Sequence, residues 1–494
     1  MTHVRVAVIG AGFGGIGTAI RLRQRGVEDF LVFERAADLG GTWRDNSYPG
    51  CACDVPSNLY SFSFAPRPDW SRSFSPQPEI WDYLRACADR YGLHPHLRLG
   101  HEVRAARWDG AAGRWQLDTS GGPYSAEILV AATGPLSEPA IPDLPGLDTF
   151  AGHTFHSARW DHGYDLTGRR VAVVGTGASA AQFVPEIAPR VAGLTVFQRT
   201  PPWVLPRRDR ALTGVEQRLY RTVPAAQRLV RSSLYWSREL TAVAFLRPRF
   251  MAVGQRMAQR HLRRQVPDPG LRAKLTPRFT MGCKRVLLSN DYLPALARSN
   301  VDVVTEKIAE IRPHGIVTVD GAEHPADTLI FGTGFHVTDA PAAQYLYGRD
   351  GRNLDEVWQG SPKAYLGTTV AGFPNLFLLL GPNTGLGHTS VVLMLEYQIE
   401  FVMRALSYLD SVGARQVEPR PEVQREFVLE MDRRLAPTVW LSGGCASWYL
   451  DRTGRNSTIW PGFTWAYHRR LRRFDPGAYL IGNPDSVDIA DHVK

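Results

Sequence analysis

Residues 10–15 of this 494-residue chain have the composition needed to hold the phosphates of a dinucleotide. They read G-x-G-x-x-G: Gly10 permits a tight turn, Gly12 lets the backbone approach a pyrophosphate, and Gly15 lets the following helix pack closely. Glu34 follows Gly10 by 24 residues, where a carboxylate can accept hydrogen bonds from ribose hydroxyls. The pattern therefore predicts a site for a dinucleotide with a free 2′-hydroxyl, such as FAD.

Residues 175–180 repeat the motif, with Gly175 and Gly177 at its first two glycine positions and Ser179 and Ala180 at its end. Arg199 follows Gly175 by the same 24 residues. An arginine there favours the 2′-phosphate of NADPH, whereas an acid favours the free hydroxyl. Two sites of opposite charge preference predict electron transfer from NADPH to a flavin.

Apolar runs place both motifs at the ends of buried parallel strands. Each motif follows one such run and precedes a segment with helical spacing of apolar residues, as in a βαβ unit. Two more apolar runs end in Thr-Gly, and we interpret them as points where the chain crosses between domains. A last run is predicted to be a buried strand whose Gly/Asn turn lies beside the flavin. These three runs are residues 128–132, 329–331 and 373–380.

The order of these elements predicts an α/β fold with two nested Rossmann-like dinucleotide-binding domains and a helical insertion. The predicted FAD-binding domain comprises residues 1–148 and 331–494, and its second part includes a C-terminal substrate and cofactor loop. The NADP-binding domain is residues 149–330. Residues from about 208 to 280 show no strand-like alternation and are predicted to form the helical insertion, whose aromatic side chains we assign to core packing rather than to a membrane surface.

The composition excludes several classes of protein. The chain is 44% hydrophobic, too apolar for disorder, and its five scattered cysteines form neither a disulfide scaffold nor a zinc or CxxC pattern. The cysteines suit a reducing compartment, and no apolar run reaches the length of a membrane span, so we expect a cytoplasmic protein without stable membrane insertion or a metal site. Its net charge of +9, from 57 Lys+Arg and 48 Asp+Glu, is interpreted as a solvated arginine-rich surface and not as a nucleic-acid site.

Two longer motifs resemble those of the type I Baeyer–Villiger monooxygenases, within the class B flavin-dependent monooxygenases. Residues 150–161 match the fingerprint FxGxxxHxxxW, with His156 at its histidine and Asp161 where proline is common. Residues 41–54 match a second motif, which includes Gly41, Trp43 and Asp54. The resemblance covers about residues 1–340, and the C-terminal part is only loosely similar.

The resemblance implies roles for residues near the reacting centre. It places Arg285 as the fixed cation beside a C4a-peroxyflavin anion, and Asp54 as the carboxylate that orients this arginine. An arginine suits this role because it keeps its proton.

The resemblance also implies contacts to the cofactors. Lys284 and Thr200 would join Arg199 near the NADP phosphate, and Gly41 and Trp43 would contact FAD. Of the remaining fingerprint and loop residues, His156 is interpreted as an organising residue of the linker on the cofactor side, and Trp448 as part of a loop that contacts NADP and substrate.

The function that these residues favour is NADPH- and O2-dependent insertion of one oxygen next to a ketone carbonyl, giving an ester or lactone. One alternative is a related flavin enzyme that oxygenates nitrogen or sulfur; the other is a flavin reductase or a nucleotide-binding regulator without oxygenase activity. The absence of CxxC opposes a thiol-coupled reductase, and two differently tuned sites oppose a pure binding module. The identity of the ketone and the oligomeric state, monomer or homo-oligomer, are not predicted.

Overall fold

The computed structural model describes residues 1–339 and 342–483. Within these residues the chain forms strands with the following bounds: β1 (Thr2–Ile9), β2 (Phe30–Glu34), β3 (Leu97–Leu99), β4 (Val103–Asp109), β5 (Arg114–Thr119), β6 (Gly122–Ala131), β7 (His153–His156), β8 (Arg170–Val174), β9 (Gly193–Phe197), β10 (Val204–Leu205), β11 (Leu287–Leu288), β12 (Val301–Val304), β13 (Ile308–Arg312), β14 (Gly315–Thr318), β15 (Glu323–Pro325), β16 (Thr328–Phe331), β17 (Leu346–Tyr347), β18 (Leu376–Leu378), β19 (Gln416–Pro419) and β20 (Tyr479–Gly482).

The same residues form α-helices with these bounds: α1 (Phe13–Gln24), α2 (Thr42–Asp45), α3 (Gln77–Arg90), α4 (Ala178–Ile187), α5 (Gly214–Thr222), α6 (Pro224–Leu246), α7 (Met251–Gln265), α8 (Pro269–Lys274), α9 (Tyr292–Leu296), α10 (Ala342–Tyr345), α11 (Leu354–Trp358), α12 (Val391–Val412), α13 (Pro421–Leu435), α14 (Val439–Ser442) and α15 (Thr464–Leu471).

The larger sheet has β1 near its centre. Its order is β17-β4-β5-β6-β1-β2-β3, with β18 also paired to β6. Strand β1 runs parallel to both β2 and β6, and its residues from Val6 to Val8 are fully buried because a hydrophobic cluster packs on each face of the strand. The predicted α/β class is confirmed, and the first glycine motif lies at the carboxyl end of β1, where ligands bind in such sheets.

The smaller sheet repeats this plan around the second glycine motif. Its order is β12-β9-β8-β16-β7, and every pair in it is parallel. Strand β8 leads into the turn at Gly175, and α4 follows that turn and covers the sheet. The two glycine motifs therefore occupy equivalent positions in two separate sheets.

The two crossings between the sheets lie side by side. The chain leaves the larger sheet after β6 and returns to it after β16. On these crossings the Ala140 amide donates to the Gly334 carbonyl at 2.9 Å, and the Thr333 hydroxyl donates to the Ala140 carbonyl at 2.5 Å. The smaller sheet is thus entered and left at one place, an arrangement suited to nested domains. The exact division at residues 148 and 330 stays a prediction.

Helices α5 to α8 fill residues 214–274. Pro224 and Pro269 each occupy the first turn of a helix, where a missing N–H is tolerated. Phe245 is buried, Tyr235 is half-buried, and Trp236 is exposed on α6. Among the described residues, no helix is both long and apolar enough to cross a membrane.

The expected strand at residues 373–380 is much shorter in the structure. Only Leu376–Leu378 pair as a strand, and Asn375 and Leu380 have φ angles of 57° and 53°. The Asn375 side chain explains the bend, because its amide donates to the carbonyls of Glu127 and Arg415 at 2.9 and 2.8 Å. An asparagine tolerates this left-handed conformation better than most residues do. The predicted extent of this strand was therefore wrong.

The first glycine turn depends on close contact between backbone atoms. Gly10 has a φ of 100°, and a Cβ atom built on Gly15 would lie 1.8 Å from the Gly10 carbonyl oxygen. This contact lets α1 begin directly against β1, so that its first amides face the carboxyl end of the sheet.

We expect Gly15→Ala to lower the free energy of unfolding by roughly 2–4 kcal/mol, because the backbone must shift to accept a methyl group. Urea titration followed by circular dichroism measures this loss. Gly214→Ala is the matched control: nothing lies within 4 Å of a Cβ atom at that helical position, so its stability should be unchanged or slightly higher. Equal stability of the two variants would contradict this account of the turn.

Candidate functional site

Arg285 and Asp54 form a two-pronged ion pair, although they are 231 residues apart in the chain. The Arg285 Nε donates to Asp54 Oδ2 at 2.8 Å, and its Nη2 donates to Asp54 Oδ1 at 2.7 Å. The Asp54 charge raises the pKa of Arg285 above its already high value. The guanidinium is thus held in one plane and stays charged.

Backbone hydrogen bonds on both sides fix this pair. The amide of Cys53 donates to the Ser75 carbonyl at 3.0 Å, which anchors the residue before Asp54. On the other side, β11 begins two residues after Arg285 and pairs with β10. Burial raises the pKa of the neighbouring Cys53 thiol, so this side chain adds no negative charge beside Asp54.

A C-terminal loop lies against the same arginine. Tyr449 is 1% exposed and within electrostatic reach of Arg285, and burial raises the pKa of its phenol to about 12. Trp448 was the loop residue named from the sequence, but its ring stays 45% exposed and contacts Tyr449 at 4.3 Å between centroids. The structure therefore brings Tyr449 to the ion pair.

A disulfide bond joins this loop to the segment that carries the arginine. Cys283 and Cys445 are bonded across 162 residues of sequence, and the Thr280 amide donates to the Gly443 carbonyl at 2.9 Å beside them. The spacing of the cysteines did not predict this pair, because partners so far apart leave no local pattern. Cys51, Cys53 and Cys87 are free and buried.

The first dinucleotide site combines free amides with a buried carboxylate. No side chain caps the N-terminus of α1 at Gly12, so its first N–H groups remain available to an anion. Glu34 is 5% exposed, and its two oxygens accept hydrogen bonds from the amides of Ala11 and Ala36 at 3.0 Å. These bonds fix the carboxylate while leaving lone pairs for ribose hydroxyls.

A cavity of about 360 Å³ opens beside Glu34. Arg44 lies on its wall and forms an ion pair with Glu34 at 3.0 Å. The size and polar walls of this cavity fit the adenosine end of a dinucleotide. Its lining residues are Arg35, Ala36, Arg44, Asp45, Ser47, Ala158, Arg159 and Trp160.

Gly41 and Trp43 adjoin the first glycine turn. A Cβ atom on Gly41 would come within 3.1 Å of the Gly12 Cα, so a side chain there would fill the space above the turn. Trp43 is buried, and its indole N–H donates to the Tyr60 hydroxyl at 3.1 Å. Both residues thus shape the wall of the same site.

The second dinucleotide site has the same open geometry. Helix α4 begins after Gly177 without a capping side chain, and Ser179 lies in its first turn. Ala180 is fully buried and packs toward Gly332, so it takes the place of the third glycine of the motif. Thr200 lies beside the turn, where its carbonyl accepts a hydrogen bond from the Thr176 hydroxyl at 3.2 Å.

Arg199 and Lys284 lie close enough to repel each other. The pKa of Lys284 is lowered by burial and by the charge of Arg199. Within the described part of the chain, neither cation forms an ion pair with a carboxylate. Two unpaired cations at the end of the second site form a suitable place for a phosphate dianion.

The fingerprint segment builds the entrance to the smaller sheet. His156 ends β7, is 3% exposed, and accepts a hydrogen bond on Nδ1 from the Ala158 amide at 3.1 Å. Its ring lies edge-on to Phe335, beside the second crossing, at 5.8 Å. Burial lowers the pKa of His156 to about 4, so the ring is neutral at neutral pH.

Two other residues of the site carry no recognisable signal in the sequence. Gln182 on α4 accepts a hydrogen bond from the Tyr48 hydroxyl at 3.0 Å and donates to the Ala52 carbonyl at 2.9 Å, which joins the smaller sheet to the segment that carries Asp54. Arg238 on α6 is within electrostatic reach of Asp54 and Arg285. A glutamine and an arginine on helix surfaces look ordinary until the contacts are known.

Comparisons of the sequence and of the fold with known proteins both find monooxygenases. The profile of the family described as Flavin-binding monooxygenase-like matches residues 3–228. The chain is 53% identical to a Baeyer-Villiger monooxygenase of Streptomyces coelicolor, over 99% of this chain and 94% of that protein. It is 50% identical to a Baeyer-Villiger monooxygenase of Pseudomonas aeruginosa, over 100% of this chain and 94% of that protein. A solved structure of an oxidized steroid monooxygenase bound to NADP superimposes with a TM-score of 0.87 at 32% identity, covering 97% of this chain and 100% of that one.

The buried His156 predicts a loss of stability in acid. Its pKa is about 4 in the folded protein and about 6.5 in an unfolded chain, so only the unfolded state binds a proton between these values. Stability from this residue is complete above pH ~6.5 and falls by roughly 2–3 kcal/mol as the pH drops toward 4.5. His156→Asn keeps an acceptor for the Ala158 amide but has no group that titrates in this range. We therefore expect the variant to lose roughly 2–3 kcal/mol less stability than the wild type between pH 6.5 and pH 4.5.

Urea titrations at several pH values would measure the effect. His314→Asn is the control, because this exposed histidine should leave the pH dependence of the wild type unchanged. If His156→Asn and the wild type lost the same stability between pH 7 and pH 4.5, His156 would not be a neutral buried residue.

Proposed function

The chain belongs to the Baeyer–Villiger monooxygenase family of flavin-binding monooxygenases, and on that premise we propose a role for each polar side chain of the site. The activity is an FAD- and NADPH-dependent Baeyer–Villiger oxygenation, as the sequence predicted. One atom of O2 enters the bond between a ketone carbonyl carbon and its neighbour, and the other leaves as water. Ketone, O2, NADPH and one proton give the ester or lactone, NADP+ and water.

The bidentate pair of Arg285 and Asp54 is the observation that carries the assignment of roles. We propose that Arg285 supplies a fixed positive charge where negative charge develops during oxygen transfer. It suits this task because a guanidinium paired with a carboxylate cannot give up its proton to the reacting oxygen. Asp54 holds the plane of the guanidinium through both oxygens, which sets its direction before the substrate arrives.

FAD, when bound, takes a hydride from NADPH and activates O2 for transfer to the ketone. Gly10, Gly12 and Gly15 would let the first amides of α1 meet its pyrophosphate, and Glu34 would accept from its ribose hydroxyls. Gly41 and Trp43 would close the site from the opposite side. The open turn and the cavity beside Glu34 support this placement.

The second site is proposed to bind NADPH. Gly175 and Gly177, with Ser179 and Ala180 in the following turn of α4, would hold the pyrophosphate at the helix N-terminus. The 2′-phosphate would lie between Arg199 and Lys284, next to Thr200. The unpaired charges of the two cations support this proposal.

Two fingerprint and loop residues are proposed to act indirectly. His156 would hold the linker where the chain crosses between the sheets, since its ring is buried, neutral and bonded to the local backbone. Trp448 would cover the cofactor side of the loop, while the buried Tyr449 would limit the access of water to Arg285.

The ketone substrate is a small molecule, and the finer statements about partners stay predictions. We propose a monomer or homo-oligomer that binds no nucleic acid, supported by the spread of its arginines along the whole chain. The cytoplasmic location also stays a prediction. The disulfide bond between Cys283 and Cys445 would be unusual in a reducing compartment.

We expect Arg285→Ala to separate the two halves of the reaction. Reduction of the flavin by NADPH without O2 should continue, because the hydride transfer does not need this charge. Ester formation should fall at least about 100-fold, as for the loss of an electrostatic contact at a reacting oxygen. Stopped-flow absorbance measures the first step and gas chromatography the product.

Arg256→Ala, at an exposed position of α7, is the control for loss of an arginine and should leave both steps unchanged. Asp54→Asn should lower ester formation less than Arg285→Ala does, because the charge remains but its direction is no longer fixed. Ester formation by Arg285→Ala at a near-normal rate would show that the proposed role of Arg285 is wrong.

We expect Arg199→Ala to raise the KM for NADPH roughly 5- to 150-fold, since one bidentate phosphate contact contributes about 1–3 kcal/mol. The KM for NADH, which lacks the 2′-phosphate, should hardly change. Lys284→Met should raise the KM for NADPH by a smaller factor and should also leave the KM for NADH nearly unchanged. Steady-state kinetics with both nucleotides provide the measurement, and parallel effects on NADPH and NADH would exclude the phosphate contact.

A further inference from the structure

Helix α6 presents one face to the rest of the protein. Gln227 and Arg231 lie on this face and reach the segment just after Asp54: both donate to Asn58, to its side-chain oxygen and its carbonyl respectively, at 2.8 Å. Phe245, near the other end of the helix, lies against Gly282, three residues before Arg285. The helix thus spans the distance between the two halves of the ion pair.

Arg238 lies midway between these two contacts. It is seven residues from Arg231 and seven from Phe245, a spacing that places all three on one face of a helix. The next residue, Glu239, is anchored by the Thr464 amide, which donates to it at 3.0 Å, so this part of α6 cannot rotate freely. The position of Arg238 on this face therefore directs its side chain toward the ion pair of Asp54 and Arg285.

The guanidinium of Arg238 is partly buried and has no bonding partner among the described residues. Within the described residues it forms no hydrogen bond and no ion pair, whereas Arg231 on the same face donates to three oxygen atoms of the segment after Asp54. Burial and the charge of Arg285 lower the pKa of Arg238, and the Asp54 charge opposes this effect. The guanidinium, which carries five N–H donors, is thus partly removed from water without a protein acceptor among the described residues.

Among the described residues, Asp54 is the carboxylate within electrostatic reach of Arg238, and it is not bonded to it. Both oxygens of Asp54 are already used by Arg285. The Cys53 thiol and the Tyr449 phenol stay neutral, because burial raises the pKa of each. With one carboxylate and two guanidinium groups, the site carries a net positive charge next to the reacting centre. A partly buried excess of positive charge favours the binding of an anionic ligand.

We propose that Arg238 is a specificity-determining residue that binds a carboxylate on the ketone substrate, so that oxo acids are preferred to neutral ketones. This inference rests on the proposed function. The carboxylate does not react. It fixes the ketone, through a guanidinium on α6, at a set distance from the guanidinium of Arg285. Substrates whose carbonyl and carboxylate match that distance would react fastest.

The test compares a series of straight-chain oxo acids of increasing length with their methyl esters, which have the same skeleton without the charge. The holoenzyme should show a higher kcat/KM for the acid at the best chain length. Arg238→Gln should lower kcat/KM for that acid about 10- to 100-fold and hardly change the value for its ester. Arg238→Lys keeps the charge but not the planar guanidinium. Its kcat/KM for the acid should lie between the values of the wild type and of Arg238→Gln.

Arg228→Gln is the matched control, because this exposed arginine on the same helix has no bonding partner among the described residues. It should behave as the wild type with both acids and esters. Equal flavin content and melting temperature of all variants would show that folding is not the cause of any difference.

A binding measurement separates this inference from the proposed activity. Calorimetric titration of the oxidised holoenzyme with the oxo acid, in the absence of NADPH, should give a dissociation constant that Arg238→Gln raises about 10-fold or more. If no ketone were oxygenated but this difference persisted, the proposed function would fail and the carboxylate site would stand.

Three results would overturn the proposal. One is a wild-type enzyme that treats acids and esters alike. Another is an Arg238→Gln variant whose kcat/KM falls by the same factor for the oxo acid and for its methyl ester. The third is a variant that changes only the KM for NADPH, which would mean that Arg238 serves the nucleotide.

Discussion

The ion pair of Asp54 and Arg285 is the constraint on which the arrangement of this protein depends. Its members come from segments 231 residues apart, so the pair exists only when the two sheets dock in one relative position. Gln182 maintains that position through its hydrogen bonds to the segment before Asp54, and the adjacent crossings limit the ways in which the smaller sheet can move. Docking of the sheets and placement of the reactive charge are therefore one structural requirement.

Unpaired positive charge marks the places where ligands are expected. The cations Arg199, Lys284 and Arg238 form no ion pair within the described residues. Arg199 is exposed, but Lys284 and Arg238 are partly buried, and this lowers the stability of the free protein because their charged groups lose water without gaining a partner. Anionic groups of a nucleotide and of a substrate would restore that stability on binding.

The loop around Tyr449 lies beside the ion pair. The disulfide bond between Cys283 and Cys445 ties it to the segment that carries Arg285, so the loop and the arginine are positioned together. Tyr449 is buried within electrostatic reach of Arg285, whose side chain is 34% exposed, and on the proposed mechanism it would limit the water around that charge. The loop and the charged residue of the site are thus held together by one disulfide bond.

The sequence by itself determined the two glycine turns and the parallel α/β class, because each depends on neighbours within about one βαβ unit. It also predicts opposite nucleotide preferences at Glu34 and Arg199. The roles of Asp54 and Arg285 came from resemblance to a family, and their contact was visible only in the fold. Tertiary structure alone decided which distant groups meet: Gln182 with the segment before Asp54, Cys283 with Cys445, and Tyr449 with Arg285. It also ended the expected strand at Asn375, whose side chain bonds to distant carbonyls. Such contacts depend on packing between segments far apart in sequence, which no local spacing specifies.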